Sequence, residues 1–147
     1  MKKLLCALIF CLSFISAFAW TVGDIRDEFG DPTGKKELFL KSANKTIVIR
    51  ENNSSYILAV EQNGRINPVE KVEGVVRIKV DNSQPFELIN PLIFYGYGFV
   101  GGMTKEQLNL LANGNIIKLS IPDQIGASNT ERFNLTGLKE AIRKANW

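Results

Sequence analysis

Charged side chains are densest between Gly23 and Lys36, where they could bind a metal ion or a charged ligand. Carboxylates stand at positions 24, 27, 28 and 31, and basic residues at 26, 35 and 36. Oxygen ligands of this kind suit calcium, but the spacing lacks the regular acids and final Glu of an EF-hand loop. The alternative is a solvated loop with a type I Asp-Pro-Thr-Gly turn at 31–34. We assign no metal here, and we take Asp27, Asp31 and Lys35 as candidate ligand-binding residues.

Aromatic side chains that alternate with glycines form the second candidate, in the segment Tyr95-Gly96-Tyr97-Gly98-Phe99. Glycine neighbours leave aromatic faces uncovered, so Tyr95, Tyr97 and Phe99 would be able to stack on a sugar ring or a peptide. Glycines within a strand also mark bulges and close backbone approaches. The alternative is therefore a bent strand whose aromatic rings pack in the core.

Residue types that most exported hydrolases need are missing from the sequence after Ala19. There is no histidine, and both cysteines, Cys6 and Cys11, precede that position. This excludes Ser-His-Asp and Cys-His nucleophiles, thiol redox pairs, and zinc sites with nitrogen or sulfur ligands. Only Asp31, Pro32 and Thr33 separate Gly30 from Gly34, and no hydroxyl residue follows the lysine, so a phosphate-binding P-loop is excluded too.

An enzyme that uses only carboxylates remains an alternative, because a pair of acids in a cleft has no spacing signature in the sequence. We nevertheless expect a protein that is not an enzyme and that carries no cofactor. A hydrolase of this kind is kept as the last of the functional alternatives.

The segment from Met1 to Ala19 has the layout of a secretory signal peptide. Lys2 and Lys3 precede an apolar run over Leu4–Phe18, and Ala17-Phe18-Ala19 offers a small-x-small cleavage pattern. The run is shorter than the roughly 20 residues of a membrane span. We therefore predict a signal peptide at 1–19, a single β-rich exported domain at 20–147, and no membrane span after cleavage.

Cleavage after Ala19 would also remove two of the positive charges, those of Lys2 and Lys3. The chain that remains carries 16 basic and 15 acidic side chains. A net charge so close to zero does not favour nucleic acid as a partner.

Short strands separated by turn residues make up most of the segment 20–147. We predict strands at Glu37–Ser42, Lys45–Arg50, Ser55–Gln62, Gly74–Asp81, Pro85–Ile89, Leu92–Val100, Asn115–Ile121 and Glu131–Leu135. The Asn-Asn-Ser turn at 52–54 and the Asn-Gly dipeptide at 63–64 indicate hairpins. Strands at this spacing are typical of a mainly β fold, either an antiparallel β-sandwich or a partly open barrel.

Two short helices are predicted to accompany the strands, one of them at the C-terminus. The first begins at Thr104, which forms a capping box with Gln107, and Gly114 suits a left-handed end. The second covers about Thr136–Asn146, with apolar residues at three- and four-residue spacing on one face.

Two segments resemble known families. Asp27–Lys36, with the sequence DEFGDPTGKK, resembles a motif at the mature N-terminus of small uncharacterised exported bacterial proteins. Phe133–Trp147 is similar to the end of a type VI secretion-associated accessory protein family, in which a Phe-x-x-x-Gly-Leu-x-x-Ala stretch runs into a terminal Trp. That family commonly has a cysteine near the Trp, where this sequence has Ala145 and Asn146. The resemblance implies an exported, strand-rich fold capped by a C-terminal helix, and no catalytic residue.

These features together predict a periplasmic or secreted binding or accessory domain of bacterial origin. We expect its partner to be an envelope or extracellular protein or a glycan. The alternative is a structural envelope or secretion-associated protein that acts by protein contacts, for example by adding a strand to a sheet edge.

Overall fold

The computed structural model describes residues 20–62, 71–94, 96, 98–122 and 127–147. Within these ranges the strands are β1 Thr21–Arg26, β2 Pro32–Lys41, β3 Lys45–Asn52, β4 Ser55–Gln62, β5 Lys71–Val72, β6 Arg77–Val80, β7 Phe86–Glu87, β8 Ile89–Phe94, β9 Gly98–Met103, β10 Ile116–Pro122 and β11 Ser128–Asn134. The helices are α1 Lys105–Asn113 and α2 Leu138–Ala145. The predicted signal peptide and the predicted turn at Asn63-Gly64 lie outside the described residues.

Two antiparallel sheets enclose one hydrophobic core. The larger sheet has the order β1-β2-β3-β4-β9-β8-β5, and the smaller sheet has the order β11-β10-β6-β7. The inner faces of both sheets and the buried faces of both helices contribute to a single cluster of buried side chains. The prediction of a mainly β, sandwich-like antiparallel fold with two short helices is therefore confirmed.

The hairpin of β3 and β4 and the alternating strand β6 agree with the sequence pattern. The hairpin pairs Lys45 with Gln62 at its open end and closes through Asn53, whose φ of 54° is left-handed. Asparagine tolerates this conformation better than most residues, which explains its place in the turn. The apolar residues at 76, 78 and 80 are all buried on one face of the smaller sheet.

The apolar segment Leu92–Val100 is not one strand, as the sequence pattern predicted, but contains a chain reversal. Strand β8 ends at Phe94, β9 begins at Gly98, and the two pair antiparallel. Glycine is required at 98, because its φ is +129° and a Cβ there would lie 1.7 Å from the carbonyl oxygen of Val60. Continuous hydrophobicity hid the turn, since the strands on both sides of it are apolar.

The segment predicted as a solvated loop also forms a hairpin, made of β1 and β2. Asp24 pairs with Lys36 and Arg26 pairs with Pro32, so the turn lies at residues 27–31 and not at 31–34. Opposite charges that face each other across the two strands stabilise this pairing without an apolar pattern. The expected type I turn at Asp31 is therefore wrong.

The capping of α1 is as predicted at its start and different at its end. Thr104 Oγ1 accepts a hydrogen bond from the Gln107 amide at 3.2 Å, and the Thr104 amide donates to Gln107 Oε1 at 2.8 Å. Gly114 follows the helix with a φ of −92°, which is not left-handed. A steric restriction explains the glycine at this position better, because a Cβ at 114 would lie 2.1 Å from Cγ1 of Val80.

Candidate functional site

The candidate residues Asp27 and Asp31 lie at the turn of the β1–β2 hairpin. Asp27 Oδ1 accepts hydrogen bonds from the backbone amides of Phe29 and Asp31, each at 2.9 Å. The Asp27 and Asp31 backbones also bond to each other, and the Gly30 amide donates to the Asp27 carbonyl. The Asp27 carboxylate therefore closes the turn. The turn presents Phe29, whose side chain is 83% exposed.

Other charges of this hairpin are mostly engaged within it. The Lys36 ammonium donates to the Asp24 carboxylate, and this contact lowers the pKa of Asp24 below its ordinary value. The Arg26 guanidinium donates to the carbonyl of Gly30. Lys35 is exposed on β2. Within the part of the chain that the structure describes, no group of three metal-ligating side chains is present.

Of the three aromatic candidates, the structure describes Phe99. Phe99 is 2% exposed and lies in the core, opposite Val60 on β4 and Ile93 on β8. For Phe99 the core-packing alternative is therefore the correct one, and the residue is not available to a ligand. Tyr95 and Tyr97 lie outside the described residues.

A feature that the sequence interpretation missed is an apolar row on the outer face of the larger sheet. The strand register places five apolar residues side by side on five neighbouring strands, facing away from the core. They are Phe39, Val48, Ala59, Val100 and Leu92. In the next row, Ile57 and Ile89 lie on either side of Gly102. We refer to these seven side chains as the apolar band.

The side chains of the apolar band differ in how far they are exposed to solvent. Val48 is only 8% exposed, yet it is not part of the core cluster. Leu92 and Ile89 are 47% and 49% exposed. Gly102 has no side chain between Ile57 and Ile89, and a Cβ there would lie 3.3 Å from Cβ of Ile89. Leu92 and Ile89 are therefore the members of the band that a partner could reach most readily.

Polar side chains border the band on two sides. Arg50 donates to Glu37 at 2.7 Å, and this pair continues the row of Ile57 and Ile89 at its β2 end. On the other side the row contains Lys41 and Glu61, and the Lys41 ammonium lies 5.7 Å from the centre of the Phe39 ring. The band is therefore an apolar surface with a rim of both charges, which is the layout of a protein interface.

The sequence contained one signal for this surface. A half-buried strand alternates apolar and polar residues, whereas strands covered on both faces read as apolar runs. The run Ile47-Val48-Ile49 in β3 and the run from Ile57 to Val60 in β4 are of the second kind. Only the register, however, shows that these outward residues align with Leu92 and Val100.

Comparison with known proteins shows the fold and no family. No family model and no curated protein matches the chain. The crystal structure of invasion associated protein b from Bartonella henselae superposes with a TM-score of 0.59 over 89% of this chain and 94% of the other, at 14% sequence identity. The two proteins thus have similar folds. No helix among the described residues is long and apolar enough to cross a membrane.

Proposed function

We propose that this chain is an exported, non-enzymatic binding domain that docks a protein partner on its apolar band. The observation that carries the proposal is the alignment of five apolar side chains across five strands on the outer face of the larger sheet. Burying such a surface against a partner is favourable by about 25 cal/mol for each Å² removed from water. The similarity in fold to a bacterial invasion-associated protein supports a role in contacts outside the cell interior.

Export is part of the proposal, and the start of the fold supports it. The Trp20 side chain is 8% exposed within the core, and β1 begins at Thr21. Cleavage after Ala19 would therefore leave the described fold intact. Mass spectrometry of the protein from the envelope and the culture medium should find a chain that begins at Trp20. A chain that keeps residues 1–19 and stays in the cytoplasm would refute export.

The dimensions of the band favour an amphipathic helix of a partner protein. Five strands at the usual spacing span about 19 Å, and the band is about 7–14 Å wide. A helix is about 10 Å in diameter, and about 13 residues cover 19 Å. A stable dimer buries about 800 Å² on each partner. The footprint of the band, about 200 Å² from these spacings, is much smaller, so a single helix fits it better than a second sheet.

The rim adds a charge requirement for that helix. Glu37 and Arg50 are paired to each other, whereas Lys41 and Glu61 border the other side of the central row. A helix with polar residues of both signs beside its apolar stripe would be complementary to this arrangement. The two acids and two bases of the rim sum to zero charge, so the rim does not attract an anionic lipid surface, which makes a membrane a poorer occupant.

Site-specific photo-crosslinking in the native cells tests the proposal. A photoreactive residue at position 92 should cross-link one partner, whereas the same residue at position 110, on α1 and 37% exposed as Leu110, should not. The purified partner should then bind the I89K/L92K variant at least about tenfold more weakly, because two lysines would be buried against apolar surface.

The V75K/L110K variant is the matched control, since both positions are exposed and neither belongs to the band. It should retain the wild-type affinity for the purified partner. Cross-linking of position 92 to a second copy, together with a doubled mass in solution, would overturn the helix proposal in favour of a dimer. Equal cross-linking at positions 92 and 110 would overturn the apolar band as the site.

A further inference from the structure

Three basic side chains form a straight row on the outer face of the smaller sheet. Lys118 on β10 lies opposite Lys79 on β6 and opposite Arg132 on β11. On β6 and β10 the neighbours Ile78, Ile117 and Leu119 are buried in the core, and on β11 the neighbour Phe133 packs against it. The three basic side chains therefore point away from the core, side by side. We refer to them as the basic row.

The basic row has no charge partner in the part of the chain that the structure describes. None of its three members forms an ion pair there, although six ion pairs occur elsewhere among the described residues. Like charges directly opposite each other destabilise a sheet. A sheet gains nothing from placing Lys118 between two other cations, so the arrangement indicates an external anion that completes it.

The described acids nearest to the row are already engaged. On the same face, Glu87 accepts from Arg77 at 3.1 Å. Asp81 follows β6 and accepts from the backbone amides of Asn115 and Ile116, each at 2.9 Å, and these bonds lower its pKa. Glu131 is paired with Lys45 across the edge of the two sheets. None of these three carboxylates neutralises the basic row.

Residues beside the row supply neutral hydrogen-bonding groups. In one adjacent row, Ser120 lies opposite Thr130, and in the other, Asn134 lies opposite Ile116. The large hydrophobic residues that are exposed in the described chain are Phe29, Val75, Ile89, Leu92 and Leu110, and none of them lies within β6, β10 or β11. These three strands can thus bind anionic groups and hydroxyls, but they carry no exposed large apolar side chain to insert into a membrane.

We propose that the basic row binds a linear anionic polysaccharide. Strand spacing places the backbones of the three residues about 4.8 Å apart in a line of about 10 Å. An extended chain with sulfate, phosphate or carboxylate groups can run along this line, while Ser120, Thr130 and Asn134 bond to its hydroxyls. The row and the apolar band lie on the outer faces of different sheets, so polysaccharide and protein partner do not compete.

Binding of dextran sulfate by the mature chain, with neutral dextran of equal length as the reference probe, tests this inference. The K79Q/K118Q/R132Q variant should bind dextran sulfate at least about tenfold more weakly, because each cation lost from the line removes one contact to the anionic chain. The K71Q/K105Q/K139Q variant makes the same change in net charge at exposed lysines outside the row, and it should stay within about threefold of wild type. Wild type should bind neutral dextran far more weakly than dextran sulfate.

The melting temperature of the glutamine variant distinguishes a loss of binding from unfolding, because removing the repulsion should leave it at or above the wild-type value. An equal loss in the control variant would show that net charge alone is responsible, and would overturn the site. Tighter binding to phosphatidylglycerol vesicles or to duplex DNA, with the same dependence on the row, would overturn the polysaccharide as its ligand. A failure of the apolar band to bind protein would leave this test unaffected.

Discussion

Replacing Lys118 by Gln should stabilise the protein, because Lys118 stands between two other cations. Its neighbours Lys79 and Arg132 lie directly opposite it in the register. Cross-strand Cβ atoms are about 5 Å apart, and long side chains can splay to place their charges about 7 Å apart. In water each pair then repels by about 0.6 kcal/mol, and the two pairs by about 1.2 kcal/mol.

Salt changes this magnitude in a predictable way. The Debye length is about 30 Å at 0.01 M, about 8 Å at 0.15 M and about 3 Å at 1 M. The gain for Lys118→Gln should therefore be about 1 kcal/mol at 0.01 M, about 0.5 kcal/mol at 0.15 M and about 0.1 kcal/mol at 1 M. Lys118→Glu converts both repulsions into attractions, so its gain at low salt should be about twice as large.

Urea unfolding followed by tryptophan fluorescence measures these differences. Both tryptophans report on the folded state, since Trp20 is buried and Trp147 lies 5.5 Å from Tyr56, ring centre to ring centre. Lys35→Gln is the control, because Lys35 is exposed and has no charged residue opposite it in the β1–β2 register. A loss of stability at Lys118 that is the same at every salt concentration would refute the repulsion, and would show that the stem of the side chain contributes by packing.

Three further predictions concern the stability of individual turns and of one charged side chain. Asp27→Ala removes the acceptor of two turn amides and should cost about 1 kcal/mol in urea unfolding, whereas Asp31→Ala should cost less than about 0.5 kcal/mol; equal losses would contradict the role of the Asp27 carboxylate. Gly98→Ala places a Cβ 1.7 Å from a carbonyl oxygen and should cost more than about 3 kcal/mol, whereas Gly96→Ala meets open space and should cost about 1 kcal/mol; similar values would refute the steric argument. Because the pKa of Asp81 is lowered in the folded state, its contribution to the free energy of unfolding is complete above pH 3.8 and is lost as the pH falls through the folded-state pKa. Asp81→Asn should therefore make the loss of stability at acid pH less steep, and an unchanged loss would contradict this.

Sequence patterns within a short segment, such as alternation and helix capping, correctly predicted the elements that depend on neighbouring residues alone. The alternation around Ile78 and the capping box at Thr104 each lie within a short stretch of sequence, and the structure has both. The same rules failed where the signal crosses between strands. Asp24 and Lys36 stabilise a hairpin only when they face each other, so their segment read as a loop.

Local patterns predict the outward apolar residues of β3 and β4, but they do not align the residues of either candidate surface. Lys79, Lys118 and Arg132 lie far apart in the sequence, and each belongs to a strand that reads as an ordinary half-buried one. Only the register of β6, β10 and β11 makes them a row. Phe99 shows the reverse case, because its aromatic, glycine-flanked setting suggested a surface while its position in the register places it in the core.

The outer faces of the two sheets differ in chemistry, because the central strands of the larger sheet are apolar on both faces and those of the smaller sheet on one. In the larger sheet, β3 and β4 carry apolar residues on both faces, so the core takes Ile49 and Leu58 and leaves Val48 and Ala59 outside. The central strands of the smaller sheet, β6 and β10, alternate buried apolar residues with outward lysines. The core cluster draws on the inner faces, so it does not account for the apolar band, and repulsion between its cations makes the basic row unfavourable for folding. Features that folding does not need are the ones for which binding is the better explanation.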